Sequence, residues 1–211
     1  SNNFYVGAGF NAYGIAAGGG AGMALAEWVA NGQPPYDLWP VDIRRFGKPH
    51  QDLEWVRKRT YEAYAKHYTM AWPFEEHSSG RNYQTSPIFD DLTKAKACFG
   101  EKLGWERPNW FAPKSTEPKD VYSFDRQNWF KEVGEEVKAT REKAVLIDQT
   151  SFAKFLISGS ESLKALEYIC ANNINKPVGS TIYTQMLNHH GGIECDVTIT
   201  VIDKNTFYLV T

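Results

Sequence analysis

Two stretches of this chain combine residue types that could do chemistry. In "MLNHHGGIECDVTI", Met186 to Ile199, Asp196 stands on a strand-like run directly after a Gly-Gly turn. Alternation puts Ile193, Cys195, Val197 and Ile199 on one face of that run and Glu194, Asp196, Thr198 and Thr200 on the other. A carboxylate there can take or steer a proton on a bound ligand. The same pattern also describes the solvated face of an ordinary hairpin, and spacing alone favours that plainer reading. In "GFNAYGIAAGGGAGMALAEW", Gly9 to Trp28, six glycines lead into an apolar helical pattern. Glycines so placed either pack a helix tightly on a sheet or bring backbone N–H groups and a helix N-terminus against an anionic or electron-rich ligand. The stretch does not place G-x-G-x-x-G in its usual position. A proline-rich connector follows where a nucleotide fold would have a strand ending in an acid, so this is not a dinucleotide pyrophosphate turn.

The remaining polar candidates have simpler explanations. Five histidines occur, but none shows metal-ligand spacing, and adjacent His189 and His190 point opposite ways in a turn, so no metal is expected. His50 and His77 fall in loops and read as solvated. Arg81 in "SSGRN" has the bidentate geometry a substrate carboxylate would suit, although a structural ion pair explains it more simply. "GWERPNWF", Gly104 to Phe111, could cage a methylated amine but reads more economically as an aromatic anchor. Cys98, Cys170 and Cys195 are odd in number, far apart and without C-x-x-C, which argues for a reducing compartment and against a disulfide framework.

These residues must be positioned by elements legible in the pattern. The chain has 211 residues, 42% of them hydrophobic, which is enough for a core. A net charge of −2 gives no footprint for nucleic acid or an anionic membrane. No apolar run approaches the roughly 18 residues of a membrane span, and no signal peptide is visible. A strand-like opening and a strand-like close, with no initiator methionine, suggest an internal segment of a longer protein.

Residues 4–32 read as strand, glycine-rich turn and helix, with Asn31-Gly32 as a left-handed stop. Residues 33–50 form a proline-rich connector, and 51–71 a helix with Asp52 at its N-cap. A loop-rich stretch over 72–126 holds one short helix at 88–98. From Asn128 onward a charged amphipathic helix leads to strands "AVLID" and "FAKFLIS", helix "ESLKALEYICAN", and strands "STIYTQML", "GIECDVTITVI" and "TFYLVT". The class is α+β with antiparallel hairpins.

Read together, "GFNAYGI" with its following glycines and "LAEW", "VDIRRFG", "YEAYAKHY", "GRN", "GEKLGWERPNWF", "FAKF" and "GSTIYTQMLNHHGGIECDVTI" resemble the sarcosine and dimethylglycine dehydrogenase family of glycine-oxidase-type flavoproteins. Their order and spacing lie nearest the sarcosine dehydrogenase pattern, and the resemblance covers nearly the whole chain. It implies three parts: the C-terminal end of an FAD-binding domain (1–32), a middle connecting segment (33–127), and the truncated start of a folate-binding domain like the T-protein, or aminomethyltransferase, of glycine cleavage (128–211).

It also implies two sites. The backbone of Gly9, Phe10, Asn11, Ala12, Tyr13, Gly14, Ile15 and Ala16 would lie over the pyrimidine end of the flavin of FAD. There a helix N-terminus stabilises the anion of the reduced ring by roughly 0.3–2 kcal/mol. Asp196 would be the carboxylate held near the reactive nitrogens of tetrahydrofolate, and Tyr183, Thr184, Gln185 and Met186 would line the pterin pocket. Such T-proteins commonly carry two adjacent acids where this chain has Cys195 and Asp196, so only Asp196 is matched.

The implied parent oxidises an N-methylated amino acid by hydride transfer to FAD. It passes the one-carbon unit to tetrahydrofolate and electrons to an electron-transfer flavoprotein. It would reside in the mitochondrial matrix of a eukaryote or the cytoplasm of a bacterium, and the 211-residue piece alone would be inactive and hold FAD poorly. The rival implication is a non-catalytic relative resembling the regulatory subunit of pyruvate dehydrogenase phosphatase, which acts by protein binding. A third is an isolated folate-binding module.

Overall fold

The computed structural model describes residues 3–211; Ser1 and Asn2, the opening of the expected FAD-type segment, lie outside them. The chain divides into two compact units, one ending at Tyr61 and one from Glu62 to Thr211.

In the first unit the expected strand at residues 4–10 does not form. This stretch carries two glycines, which weaken a strand, and none of the described residues pairs with it. It runs instead beside a helix, with Tyr5 edge-on to Trp28 at 5.9 Å and Gly7 facing Leu25. That helix, α1 (Gly14–Asn31), starts earlier than the glycine content suggests, so Gly18, Gly19, Gly20 and Gly22 lie inside it rather than in a loop. It ends as anticipated: Gly32 takes φ 75° and its N–H bonds Trp28 O at 2.8 Å.

The proline-rich connector is a series of short 3-10 turns at 39–41, 43–45 and 48–51. Asp42 caps the middle one through the Arg44 N–H at 2.7 Å. Asp52 accepts from Glu54 N at 2.9 Å and Trp55 N at 3.2 Å, opening α2 (Leu53–Ala65) as an N-cap should. The helix stops six residues short of the expected end at residue 71, in turns through residues 66–68.

The second unit begins with a carboxylate clasp. Glu62, on the last turns of α2, accepts from Lys66 Nζ, Ser78 N and Ser79 N, each at 2.7 Å. Burial alone would raise its carboxyl, but the hydrogen bonds from Lys66 and the two serines outweigh it and hold the group well below the usual carboxylate range. The loop through residues 77–80 is thereby pinned to the helix.

Helix α3 (Phe89–Lys94) is shorter than expected, because Lys96 turns left-handed at φ 68° and sends the chain into β1 (Ala97–Lys102). Strand β1 pairs antiparallel with β2 (Trp105–Phe111), a hairpin the sequence reading missed. Pro108 falls next to a bulge opposite Cys98 and Phe99, a place where a strand tolerates a residue with no N–H to donate. Helix α4 (Phe130–Glu142) packs on this hairpin: Trp129 and Val133 cover the buried Cys98, Trp110 and Ala112. Trp110 Nε1 donates to Asp120 at 2.7 Å, which satisfies its one polar atom.

Strand "AVLID" does not form; residues 144–148 take no regular structure and join no ladder among the described residues. Strand β3 (Lys154–Ser158), helix α5 (Ser162–Ile169) and strands β4 (Thr181–Leu187), β5 (Ile193–Asp203) and β6 (Thr206–Val210) follow as anticipated. The four strands form one antiparallel sheet in the order β3-β6-β5-β4. One face buries Ile182, Val197, Ile199, Val201, Phe207 and Leu209 with Leu166 of α5 and Ile174. Each such side chain contributes roughly 1.5–3 kcal/mol by leaving water.

Gly100 in β1 is fixed by what stands over it. A Cβ there would lie 2.1 Å from Glu76 Oε2 and 2.3 Å from Asn109 Nδ2. The Glu76 carboxylate is held in place, accepting from Glu101 N at 2.9 Å and Asn109 Nδ2 at 3.2 Å. Gly100→Ala should displace it and lower stability by about 1–3 kcal/mol. A urea melt with unchanged slope and a lower midpoint is the expected reading.

Candidate functional site: the open face of the four-stranded sheet

The face of the sheet opposite the core carries Asp196. Register explains why. Val197 and Ile199 are buried in β5, so their neighbours Asp196, Thr198 and Thr200 must face outward, which is the alternation expected from the sequence. Across the strand pair Gln185 stands opposite Asp196 and Tyr183 opposite Thr198. Tyr183 therefore sits diagonally from Asp196 on the same face, within reach of a long side chain. Its hydroxyl donates to Asp196 Oδ2 at 3.0 Å. The Asp196 carbonyl accepts from Thr211 Oγ1 at 2.7 Å, so the backbone beneath the carboxylate is also held.

The four expected pterin-lining residues separate by the same alternation. Tyr183 and Gln185 share the Asp196 face, with Tyr183 exposed and Gln185 half-buried. Thr184 and Met186 turn to the other side. Thr184 is 1% exposed and its Oγ1 accepts from Asn172 N at 3.0 Å, while Met186 packs on the core. The structure brings together three of the five folate-side candidates and puts two beneath them.

The turn before Asp196 is organised by Asn188, whose role the sequence reading missed. Its Oδ1 accepts from His190 N at 3.0 Å and Gly192 N at 2.9 Å, and its Nδ2 donates to Glu194 at 2.8 Å. An asparagine closing a turn before Gly-Gly is a signal that was available. His189 and His190 are exposed, and no cluster of three or more His, Cys, Asp or Glu able to hold a metal occurs among the described residues.

The other expected site lies at the start of α1. Gly9, Asn11 and Ala12 take positive φ of 78°, 45° and 73°, which folds the chain back before the helix. The first intrahelical bond runs from Ala17 N to Tyr13 O at 2.8 Å. The N–H groups of Gly14, Ile15 and Ala16 therefore have no acceptor in their own helix, no side chain caps them, and no acid occupies the first turn. Phe10 is half-buried, and the rest of Gly9–Ala16 is exposed. A Cβ added at Gly14, Gly18, Gly19, Gly20 or Gly22 would meet nothing within 4 Å among the described residues. Each of the four interior glycines costs the helix about 1 kcal/mol relative to alanine, and no close packing against them among the described residues offsets that.

The simpler readings of Arg81 and "GWERPNWF" describe what is found. Arg81 Nε and Nη2 clasp Glu106 Oε1 and Oε2 at 2.9 and 2.5 Å, and Nη2 also donates to Phe99 O at 2.7 Å. The Glu106 hydrogen bonds outweigh burial and raise the guanidinium further above its ordinary value. Trp110 is a buried anchor of the hairpin. His50 is exposed as expected, whereas His77 is half-buried with Nδ1 3.8 Å from Glu62.

All three cysteines are free thiols. Burial, with the Asp120 charge adding to it, pushes Cys98 up to about 12. Since the thiolate is the reactive form, Cys98 should be the last of the three to react with iodoacetamide in the native chain at pH 8. In urea it should react at an ordinary rate; peptide mass mapping over time reads the order.

Residues 88–211 match the GCVT N-terminal domain, and residues 31–86 the FAD dependent oxidoreductase central domain. The chain is 40% identical over 210 residues to a 4-methylaminobutanoate oxidase (formaldehyde-forming) of Paenarthrobacter nicotinovorans, covering 100% of this chain and 26% of that protein. It is 34% identical over 228 residues to the mitochondrial sarcosine dehydrogenase of Mus musculus, covering 96% and 25%. It is 37% identical over 216 residues to the mitochondrial pyruvate dehydrogenase phosphatase regulatory subunit of Mus musculus, covering 99% and 24%. The chain thus spans about a quarter of the length of these relatives.

Proposed function

The chain belongs to the GCVT N-terminal domain family, and from that premise we propose that it is part of a flavoprotein that oxidises an N-methylated amino acid and passes the one-carbon unit to tetrahydrofolate. The observation that carries the reading is the succession, in one chain, of a segment of the FAD dependent oxidoreductase type and a segment of the GCVT type. Sarcosine or dimethylglycine is the proposed substrate, and an electron-transfer flavoprotein the proposed electron acceptor. In a eukaryote the protein would work in the mitochondrial matrix, in a bacterium in the cytoplasm.

The residues at the start of α1 fit a flavin. Three N–H groups leave the helix end uncapped, no carboxylate opposes a negative ligand there, and the glycines leave room for close approach. The backbone from Gly9 to Ala16 would hold the ring; FAD, when bound, supplies the two-electron oxidation. On the second segment, Asp196 presents one carboxylate oxygen to the open face. Capture by tetrahydrofolate joins the one-carbon unit to two folate nitrogens. Their two N–H protons leave with water when formaldehyde is captured, or with the released amine when an iminium is captured. A carboxylate within hydrogen-bond reach can relay them. Tyr183 and Gln185 would contact the pterin from β4.

Identity alone does not separate this reading from a binding role, because the phosphatase regulatory subunit is as similar as the dehydrogenase. The exposed Asp196 with its tyrosine partner supports the enzyme. The deciding experiment uses the full-length protein with sarcosine or dimethylglycine, an artificial electron acceptor and tetrahydrofolate. Amine-dependent acceptor reduction together with conversion of tetrahydrofolate to its methylene form is expected. A flavin-free protein that turns over neither would sink the reading.

A further inference from the structure

We propose that Tyr183 is a positioning residue for Asp196, beyond any contact its ring makes with a ligand; the proposal rests on the reading of Asp196 as the folate-side carboxylate. An exposed aspartate on a strand ordinarily samples several rotamers, and either oxygen can face a ligand. Here the choice is made by one bond. The Tyr183 hydroxyl donates to Oδ2 at 3.0 Å, and Oδ1 accepts no hydrogen bond among the described residues. A carboxylate with one oxygen engaged has fewer rotamers open to it, and the exposed Asp196 keeps its other oxygen for a ligand.

Both ends of this contact are anchored. Tyr183 is paired with Thr198 in the β4–β5 ladder, and its carbonyl accepts from Asn172 Nδ2 at 3.1 Å on the other side of β4. Asp196 is paired with Gln185, and its carbonyl accepts from Thr211 Oγ1 at 2.7 Å. The aromatic side chain has only two soft torsions, so the hydroxyl is delivered at low entropic cost. Other charged groups are occupied elsewhere. Glu194, at the register shift two residues before Asp196, is bonded by Asn188 Nδ2 at 2.8 Å. Lys154, on the same face of β3, gives its ammonium to the carbonyls of Gln149 and Thr150 at 2.9 and 2.8 Å. Among the described residues, Tyr183 is the one side chain bonded to the Asp196 carboxylate.

A positioning role and a lining role predict different kinetics. Tyr183→Phe keeps the ring and removes the hydroxyl. If the hydroxyl aims the carboxylate, the turnover number for one-carbon capture falls about tenfold while KM for tetrahydrofolate stays within about threefold, because an interaction used mainly in the transition state has been lost. In an Asp196→Ala background, Tyr183→Phe then adds almost nothing, since the group it aims is gone.

The test is this double-mutant cycle in the full-length protein, read as kcat and KM for tetrahydrofolate. A rise in KM with kcat unchanged would make Tyr183 a lining residue and overturn the proposal. So would an unchanged Tyr183→Phe variant, or full additivity with Asp196→Ala. If Asp196→Ala itself leaves capture intact, the reading of Asp196 fails first and the positioning role falls with it, so the two failures are told apart by the single aspartate variant.

Discussion

Asp196→Asn in the full-length protein should slow transfer of the one-carbon unit to tetrahydrofolate by about 10²-fold or more, the range over which a positioned acid–base group acts. Amine oxidation, followed with an artificial acceptor, should stay near wild type. The substitution is close to isosteric and lies on an exposed face, so neither cavity nor strain clouds the result. It removes the negative charge and the ability to take a proton. The Tyr183 hydroxyl can still donate to the amide oxygen, so the orientation of the group largely survives while its basicity does not. Formaldehyde should then accumulate in place of methylene-folate. Equal loss of oxidation and capture would mean that Asp196 supports the whole protein and not the folate-side chemistry.

The second large effect belongs to stability. Arg81→Met should destabilise the unit that begins at Glu62 by about 3–5 kcal/mol, the cost of leaving one member of a buried ion pair alone. Glu106 has a side chain only 1% exposed, against 25% for Arg81. Without the guanidinium its carboxylate keeps one donor, the Asn82 N–H at 2.6 Å. Phe99 O loses a donor too, which loosens β1 at its bulge. Chemical denaturation should show a lower midpoint at unchanged slope. The Arg81→Met, Glu106→Met double variant should recover much of the loss, because an apolar pair of similar volume no longer strands a charge. A loss below about 1 kcal/mol in the single variant would show that water reaches Glu106 and solvates it.

The sheet that carries Asp196 was readable because its signals are local. Alternation fixes which residues of β5 face the core from Cys195 to Val201. Ile193, expected on the core side, is exposed because a register shift at Met186/Leu187 breaks the alternation before Cys195. Gly191-Gly192 marks the turn that precedes the strand. Asp52 and Gly32 are helix boundaries for reasons that need no partner: a side-chain oxygen that accepts from the second and third N–H, and a residue free to take positive φ. The family pattern supplied the ligands; composition and period did not.

Other features depended on partners distant in sequence. The β1–β2 hairpin has a mixed polar pattern and a proline at position 108, and it exists because α4 covers Trp110 on one side while Arg81 neutralises Glu106 on the other. "AVLID" has a strand's composition but no strand to pair with among the described residues, and composition cannot provide the missing ladder. The glycines of α1 read as a loop because glycine disfavours helix, yet the chain continues helical through them.

By itself, then, the sequence determined the alternation of β5, the caps of α1 and α2, and the residue types available for chemistry, since each follows from bonds between near neighbours. Only the tertiary structure decided that Tyr183 and Gln185 share a face with Asp196 while Thr184 and Met186 lie beneath it, and that Arg81 is committed to Glu106. Those outcomes are set by strand register and by burial of charge, and both require partners brought from elsewhere in the chain.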